Sequence, residues 1–514
     1  MPTWNGPAVA QIETQDASFT GEAMAAMNRR HFLTTTGAAL TTPFLSKAMA
    51  SADGGSPVLR AAPTEAALLP EGAPRTGVWA YGGSSAATGG TVPGPIIRSR
   101  PGGRVRRRFV NDLPQESAVH WHGIRLKNAM DGASGLTQEP VSPGEHFDYD
   151  FVTPDPGTYW YHSHNRSWEQ MARGLSGPLI VGEAEPWLGL PGAAVREVVL
   201  MLDDWYLAGD GQIHEASFGN LHEWAHAGRV GNVFTVNGKV RPSLSVRPGE
   251  RLRLRMINAA NARLMRPRIE GQEGTLIALD GHPVTPRAPG DLILMPAQRA
   301  DLVIDIPADR KEPIPLLVDL GGGDRAVVAE LTPEGTPVPA VAGPVRPLPA
   351  WPSAGAREPD LDAARDLTLR MEGGAMGNLS TAVFEGRERP FEELVAAKQV
   401  WAFNGTAGGG AYGMGEPLFR LGKGETVRLA VVNDTAFAHG IHVHGHHFTL
   451  LDEPAGLSVG LGGDRVGDVR DTLSSWPGET ARIAFKADNP GRWLLHCHML
   501  EHQASGMLGW FEVG

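Results

Sequence analysis

Four short motifs hold histidines whose spacing suits metal binding. They are His120-Trp121-His122, His162-Ser163-His164, His442-Val443-His444 and His496-Cys497-His498. Successive side chains of a β-strand point to opposite faces, so residues i and i+2 share one face. Each motif therefore directs two imidazoles the same way, and the four motifs together offer eight nitrogen ligands. Eight imidazoles suit a multinuclear copper cluster that keeps open positions for a small molecule.

A second set of ligands lies on the other side of the last motif. Cys497 stands between His496 and His498 and therefore faces the opposite way. His439 lies three positions before His442, an odd offset, so His439 can also face away. Cysteine, two histidines and a weakly bound methionine form a blue-copper ligand set, which this chain offers as His439, Cys497, His502 and Met507. The sequence thus predicts copper on both faces of one strand, with Cys497 and its neighbours as a short covalent bridge for electrons.

These motifs resemble those of the multicopper oxidase family, in particular three-domain bacterial laccase-like and cuprous-oxidase-like members. The resemblance rests on HWHG, YHSH, HxxHxHG and HCHxxxHxxxxM, and it covers nearly all of the chain after residue 50. It implies four copper ions. Their ligands would be His439, Cys497, His502 and Met507 for type 1 copper, His120 and His442 for type 2 copper, and His122, His162, His164, His444, His496 and His498 for the type 3 pair.

Two residues near these motifs bear on proton supply. Asp131, in Met130-Asp131-Gly132 after HWHG, resembles the family carboxylate that helps to deliver protons to the cluster. An Asp before Gly is also typical of a turn, so both interpretations stay open. Many bacterial relatives have a proton-relaying Glu after the last histidine ligand. Here that residue is Gln503, which cannot titrate.

His222-Glu223-Trp224-Ala225-His226 matches the HExxH signature of zinc proteases. That signature requires a helix that brings both histidines to one face, and a third ligand. Gly219 and Gly228 bracket the segment, and no companion motif follows. We therefore interpret it as a short helix or loop before the next strand.

One pattern occurs three times along the chain. It begins at Val92, Val236 and Phe403, and each copy has a turn, a strand that alternates basic and apolar residues, and a final Asn. Such self-similarity is typical of repeated structural modules. Pro/Gly-rich stretches at 183–194 and 333–358 are typical of linkers. The prediction is an all-β protein of three cupredoxin-like Greek-key β-sandwich domains, at 60–185, 190–345 and 360–514.

The N-terminus has the features of an export signal. Asn28-Arg29-Arg30-His31-Phe32-Leu33 is a twin-arginine signature, residues 32–45 are modestly apolar, and Ala48-Met49-Ala50 suits cleavage. We expect residues 1–50 to be removed after recognition by the twin-arginine export machinery. We interpret residues 1–26 as an extended start, since Met27 is a better first residue for such a signal than Met1. The apolar run is too short to span a bilayer, so we expect an exported or periplasmic protein without a permanent membrane anchor.

The composition of the chain limits which classes of partner and which cross-links the protein can have. Hydrophobic residues make up 41% and the formal net charge is −11, which argues against a nucleic-acid partner because phosphates attract Lys and Arg. Cys497 is the single cysteine, so an intramolecular disulfide is impossible.

The resemblance implies an oxidase that takes single electrons from phenols, aromatic amines or similar donors and reduces O2 to water. A metallo-oxidase for Cu(I) or Fe(II), in copper or iron homeostasis, is the alternative. Acidic or Met residues over the type 1 site would favour it, whereas 15 methionines without a dense Met-rich insert weaken it. A copper-free cell-envelope scaffold of the same fold is a third hypothesis, although such relatives lose ligands. We expect donor-binding loops at 405–416 and 453–470.

Overall fold

The computed structural model describes residues 56–83, 89–183, 195–321, 324–341, 343–351, 358–409, 415–452 and 466–514. Strands predominate over helices in these residues, which confirms the all-β prediction. The predicted export signal lies outside the described residues. So do residues 410–414 and 453–465 of the two predicted donor-binding loops.

Two four-stranded sheets come from the first copy of the pattern. Their strands are β1 (Val58–Ala66), β2 (Thr76–Gly82), β3 (Ile97–Ser99), β4 (Gly103–Asn111), β5 (Val119–His122), β6 (His146–Thr153), β7 (Gly157–Ser163) and β8 (Ser176–Val181). The strand orders are β2-β1-β4-β6 and β3-β8-β7-β5. The two histidine-bearing strands, β5 and β7, are therefore neighbours at one edge.

A six-stranded and a four-stranded sheet come from the second copy. Their strands are β9 (Val195–Trp205), β10 (Val233–Val236), β11 (Ser243–Val246), β12 (Arg251–Asn258), β13 (Pro267–Ile269), β14 (Thr275–Leu279), β15 (His282–Arg287), β16 (Arg299–Asp305), β17 (Ile314–Gly321) and β18 (Asp324–Pro333). The orders are β10-β9-β12-β16-β14-β15 and β11-β18-β17-β13. None of the predicted copper ligands lies in this module.

The third copy forms a six-stranded sheet, a five-stranded sheet and a hairpin. Their strands are β19 (Arg365–Gly373), β20 (Thr381–Phe384), β21 (Arg387–Pro390), β22 (Trp401–Phe403), β23 (Phe419–Leu421), β24 (Glu425–Asn433), β25 (His439–Val443), β26 (Phe448–Leu450), β27 (Val469–Arg470), β28 (Thr472–Ser475), β29 (Thr480–Ala487), β30 (Gly491–Cys497) and β31 (Leu508–Val513). The orders are β22-β19-β24-β29-β26-β27, β23-β31-β30-β25-β28 and β20-β21. The ligand strands β25 and β30 are neighbours inside the five-stranded sheet.

The α-helices of the described residues are short. They are α1 (Ser167–Gln170), α2 (Leu221–Ala225), α3 (Phe391–Ala396) and α4 (Leu500–Ala504). Across the described ranges, no helix has the length and apolar character needed to cross a membrane.

The repeated pattern folds the same way three times. Its alternating strand (β4, β12 or β24) pairs in parallel with the first strand of its module and antiparallel with a later strand. The final residues Asn111, Asn258 and Asn433 are buried, and each side-chain oxygen accepts from the backbone N–H two residues ahead. This Asx turn is a local reason for Asn at each end. Because each pair of sheets falls almost wholly within one predicted range, we propose the predicted domain division, with β1 beginning slightly earlier at Val58.

The apolar core joins the outer modules and leaves the middle one separate. One cluster includes Trp121 and Tyr161 of the first module with Ile441 and Trp493 of the third. The middle module has its own cluster, centred on residues such as Leu254. The strands that carry the histidines thus border a core shared by the first and third modules.

Candidate metal centre

Strand pairing places the His-x-His motifs opposite one another. In the antiparallel pair β5–β7, His120 faces His162. In the pair β25–β30, His442 faces His496 and Ile441 faces Cys497. All eight histidines of the four motifs are at most 6% exposed, so the structure brings the whole predicted set together in the interior.

Five of these imidazoles approach one another through their Nε2 atoms. Nε2 of His496 lies 3.4 Å from Nε2 of His164 and 3.0 Å from Nε2 of His444. Nε2 of His162 lies 3.4 Å from Nε2 of His498. Lone pairs from two modules therefore converge on one buried space.

Unpartnered nitrogens mark the rest of this cluster. Nε2 of His120, Nε2 of His442 and Nδ1 of His122 are buried without a hydrogen bond, while Nδ1 of His120 and of His442 donates to backbone carbonyls at 2.7 and 2.9 Å. Donor atoms of His120, His442 and His444 lie within 4.8 Å of one another, as do those of His120, His122 and His162. Buried polar atoms nearly always have a partner, so these nitrogens fit a metal site.

Cys497 forms a second group with two histidines. Its Sγ lies 3.6 Å from Nδ1 of His439 and 3.8 Å from Nδ1 of His502, and the two Nδ1 atoms are 3.1 Å apart. Met507 is buried, and its carbonyl accepts from the Cys497 amide at 3.0 Å. The four residues predicted for type 1 copper are therefore neighbours.

The outer nitrogens of these two histidines are occupied. Nε2 of His502 donates to the carbonyl of His226 at 2.6 Å, and Nε2 of His439 bonds to Oγ1 of Thr435 at 2.8 Å. Such bonds fix the ring and leave Nδ1 as the ligand atom. Thr435 and His226 carry no signal of this role in the sequence.

Burial favours the neutral form of nine of these imidazoles and the protonated form of the thiol in the absence of metal. It lowers the pKa of His496 and of His502 to about 4. Burial first, and neighbouring histidines as well, hold the pKa well below its usual value for His122, His162, His164, His439, His442, His444 and His498. Burial also raises the pKa of the Cys497 thiol to about 12. Metal ligands must be deprotonated, so the imidazoles are ready to bind and Cys497 must release a proton.

Asp131 contacts the cluster as well as ending a turn. It is 1% exposed and follows the 3-10 turn Asn128–Met130. Its Oδ2 accepts from Nδ1 of His444 at 2.8 Å, and its carbonyl accepts from Nδ1 of His120 at 2.7 Å. Asp131 therefore ends a turn and also contacts the cluster, while its role in proton delivery stays a prediction.

Asp471 and Arg299 are contacts of the cluster that the sequence did not reveal. Oδ1 of Asp471 accepts from Nε2 of His122 at 3.2 Å, and its carbonyl accepts from Nδ1 of His442 at 2.9 Å. Arg299 holds both carboxylate oxygens of Asp471 and keeps the pKa of that carboxyl well below its usual range. Nothing in the local sequence of the ligand-free middle module pointed to Arg299.

Gln503 lines a cavity of about 150 Å³ that reaches His164, one of the predicted ligands. Ser134, Trp168 and Trp224 also line it. Oε1 of Gln503 is buried without a hydrogen-bond partner. This cavity joins Gln503 to the edge of the histidine cluster.

The HExxH-like segment folds as the short helix α2, as predicted. Asn220 caps it by accepting from the amide of His222 at 2.9 Å. The rings of His222 and His226 stack with centroids 4.0 Å apart, but neither residue belongs to a three-residue metal-binding group of the described chain. The end of α2 covers the Cys497 group, because the carbonyl of His226 accepts from His502.

Sandwich domains with a buried Cys-His-His group, contributed by β25, β30 and α4, define a copper-binding protein of cupredoxin-like architecture. Comparison with known proteins agrees. Residues 77–186, 196–312 and 388–514 match three family models, each described as multicopper oxidase. The chain belongs to the multicopper oxidase family.

Individual relatives extend over most of the chain. Multicopper oxidase MmcO of Mycobacterium tuberculosis is 31% identical and covers 82% of this chain and 82% of its own length. Iron transport multicopper oxidase fetC of Epichloe festucae is 30% identical over 82% of this chain and 72% of its own length. The crystal structure of a multi-copper oxidase from Pseudomonas thermotolerans is 34% identical, with a TM-score of 0.73, and covers 89% of this chain and 98% of that one. Other relatives are named laccases and copper resistance proteins.

Proposed function

We propose that this protein binds four copper ions and couples the one-electron oxidation of a donor to the four-electron reduction of O2 to water. The observation that carries the proposal is the pair of ligand groups on the two faces of β30. The type 1 ligands are His439, Cys497, His502 and Met507. The type 2 ligands are His120 and His442, and the type 3 ligands are His122, His162, His164, His444, His496 and His498.

The donor atoms suit copper. A thiolate, a thioether and imidazoles are soft or intermediate ligands that select copper over hard cations. When bound, copper supplies one-electron redox chemistry at the Cys497 group and O2 reduction at the histidine cluster. A copper-free scaffold would have no need of ten buried histidines and one buried thiol in these positions.

The chain's own residues connect and orient the two groups. His496 and His498 are the sequence neighbours of Cys497, so a short covalent path joins the groups. Asp131 accepts the Nδ1 proton of His444 and thereby directs Nε2 of that ring into the cluster. Its Oδ1 is buried without a hydrogen bond, which supports a role in passing protons to O2. Gln503 can orient a water but cannot supply a proton.

The surroundings of α2 favour a metal ion as the electron donor over a phenol. His502 is fully buried, and the carbonyl of His226 occupies its outer nitrogen, so a phenol does not reach that atom directly. Glu223 is close enough to the buried Glu501 for their charges to repel. The amide of Ala375 donates to α2 at Ala225, beside the 79% exposed Met376. Carboxylate and imidazole side chains on α2 or next to it in the chain, and the thioether beside the residue that bonds to α2, are ligand types that suit Cu(I) or Fe(II).

Metal analysis, visible absorption and steady-state turnover test this function. We expect four coppers per chain, a blue protein, and a higher kcat/KM for Cu(I) or Fe(II) than for a phenol of similar potential. A protein that stays colourless after full copper loading contradicts the oxidase assignment. A blue protein that turns over only the phenol contradicts the choice of donor and restores the phenol and aromatic-amine hypothesis.

Export is a separate proposal. We propose that the twin-arginine machinery recognises Arg29 and Arg30 and that residues 1–50 are absent from the mature protein, which supports a periplasmic or otherwise exported location. N-terminal sequencing of the secreted protein tests it. A mature chain that keeps residues 1–50 contradicts it.

A further inference from the structure

Arg299 begins β16 in the middle module and is fully buried. Its Nη1 and Nη2 donate to Oδ1 and Oδ2 of Asp471 at 2.9 and 2.6 Å. Its other three N–H groups donate to the carbonyls of Thr158, Ala297 and Asp280 at 3.0, 3.1 and 3.0 Å. All five donors are therefore used, and only a guanidinium offers five donors in a fixed fork.

Asp471 extends this contact to ligands of both outer modules. It accepts from His122 of the first module through Oδ1, and from His442 of the third module through its carbonyl. Oγ1 of Thr472 also donates to Oδ1 of Asp471 at 2.8 Å. Arg299, Asp471 and the two imidazoles thus form one connected set that spans all three modules.

The glycine of HWHG leaves room for this ion pair. Gly123 has a φ of +81°, and a Cβ added there would lie 2.5 Å from Nη2 of Arg299 and 2.7 Å from Oδ2 of Asp471. Both distances are far below van der Waals contact. Any side chain at the residue after His122 would therefore collide with the Arg299–Asp471 pair, so glycine is needed here for space as well as for its positive φ.

The neighbouring Gln298 holds the same part of the third module. Its Nε2 donates to the carbonyl of Thr472 at 2.8 Å and to Oγ of Ser474 at 3.0 Å. Both residues belong to β28, which pairs with β25 so that Thr472 lies opposite His442. Gln298 and Arg299 of the middle module therefore both hydrogen-bond to the segment of the third module that lies beside His442, a proposed copper ligand.

We propose that Arg299 is a positioning residue for the histidine cluster, through which the ligand-free middle module fixes His122 and His442. This inference rests on the ligand assignment proposed above. Residues that orient metal ligands from outside typically contribute about 10–100-fold to metal affinity or activity. Lysine is a point charge with three donors and cannot hold both oxygens of Asp471 in a fork, so even Arg299→Lys should disturb the cluster.

The test compares Arg299→Lys and Arg299→Gln with Arg253→Lys as the matched control. Arg253 is another buried arginine of the middle module, and it pairs with Asp301 and Glu183 instead of Asp471. We expect both Arg299 variants to keep the blue absorption and the rate of type 1 reduction. Their type 2 electron paramagnetic resonance spectrum should change, and reoxidation of the reduced enzyme by O2 should slow about 10–100-fold. Arg253→Lys should change neither.

A double-variant cycle keeps the test decisive if Arg299→Gln does not fold. Arg299→Lys and Asp471→Asn together should slow reoxidation by less than the product of their separate effects, because they remove the same contact. A parent spectrum and parent reoxidation rate in Arg299→Lys, or equal effects in Arg253→Lys, overturn the inference while the proposed function stands. A parent protein without bound copper refutes both.

Discussion

The two ligand groups share β30 but differ in what surrounds them. At the Cys497 group, the outer nitrogens of the histidines meet neutral oxygens. These are the hydroxyl of Thr435 against His439 and the carbonyl of His226 against His502. These two hydrogen-bond partners carry no charge, and the buried Glu501 acts on the Cys497 thiol without a hydrogen bond to either ring.

The histidine cluster instead has two carboxylates as hydrogen-bond partners. Oδ2 of Asp131 accepts from His444, and Oδ1 of Asp471 accepts from His122. Carboxylates stabilise nearby positive charge and can carry protons. The difference indicates a division of labour, in which one group passes single electrons and the other collects positive charge and protons around O2.

Removing the thiol is the strongest test of this division. Cys497→Ser should abolish the blue colour and reduce donor oxidation to background, because serine is a hard, poorly matched ligand for copper. The cluster should remain largely loaded, since its imidazoles lie on the other face of the strand. Copper analysis and visible absorption measure both. A variant that stays blue and active contradicts the assignment.

Asp131→Asn should affect only the cluster. The amide keeps the size of the side chain but cannot carry a proton, so we expect reoxidation by O2 to slow by about 10²–10⁴-fold. Reduction of type 1 copper by the donor should stay fast. Stopped-flow mixing of pre-reduced enzyme with O2 separates the two half-reactions.

The matched variant is Gln503→Glu, which adds an acid to the cavity beside His164 and should leave reoxidation equal or faster. If Asp131→Asn reoxidises at the parent rate with its copper intact, protons reach the cluster by another route.

Met507→Leu should act only on the Cys497 group. A thioether donates weakly and favours Cu(II), so its loss should raise the type 1 potential. We expect a rise of about 60 mV, which corresponds to a tenfold change for one electron. A redox titration followed at the blue absorption measures it. Met499→Leu, a buried neighbour, is the control and should leave the potential unchanged. A lower potential in Met507→Leu rules out an axial role for Met507.

Glu223→Gln probes the cover over the Cys497 group. Burial, and then Glu501, raise the pKa of Glu223 to about 7 in the folded protein. Below its unfolded pKa of about 4.3, this group costs no stability. As the pH rises from there towards 7, Glu223 ionises in the unfolded chain while it stays largely protonated in the folded protein. This ionisation stabilises the unfolded state, so the parent protein loses stability. Above pH 7 the variant should therefore be more stable by roughly 1 kcal/mol, a value reduced for partial exposure.

Chemical denaturation at pH 5 and pH 8 measures this difference. The exposed Glu215→Gln is the control and should show equal stability relative to the parent at both values. A gain for Glu223→Gln that is the same at both pH values would show that titration of Glu223 is not the cause.

Much of the site follows from strand geometry, because the parity of residues along β25 and β30 decides which face each ligand occupies. The repeated turn, strand and Asn pattern likewise predicted three modules. Arg299 and its contact with Asp471 did not follow from the sequence, since 172 positions separate the two residues and only the packing of modules brings them together. The same holds for His226, just after α2: the sequence predicted the short helix or loop, but not that the His226 carbonyl accepts from His502.

The location of the two groups along the chain has a consequence for biogenesis. The Cys497 group lies wholly between His439 and Met507, in the third module, whereas the histidine cluster takes His120, His122, His162 and His164 from the first. The ligands predicted for type 1 copper therefore all come from one module, although the bond that fixes His502 comes from His226 of the middle module. The cluster needs histidines from both outer modules. The histidine cluster is therefore the part of the site that depends directly on the docking of the outer modules.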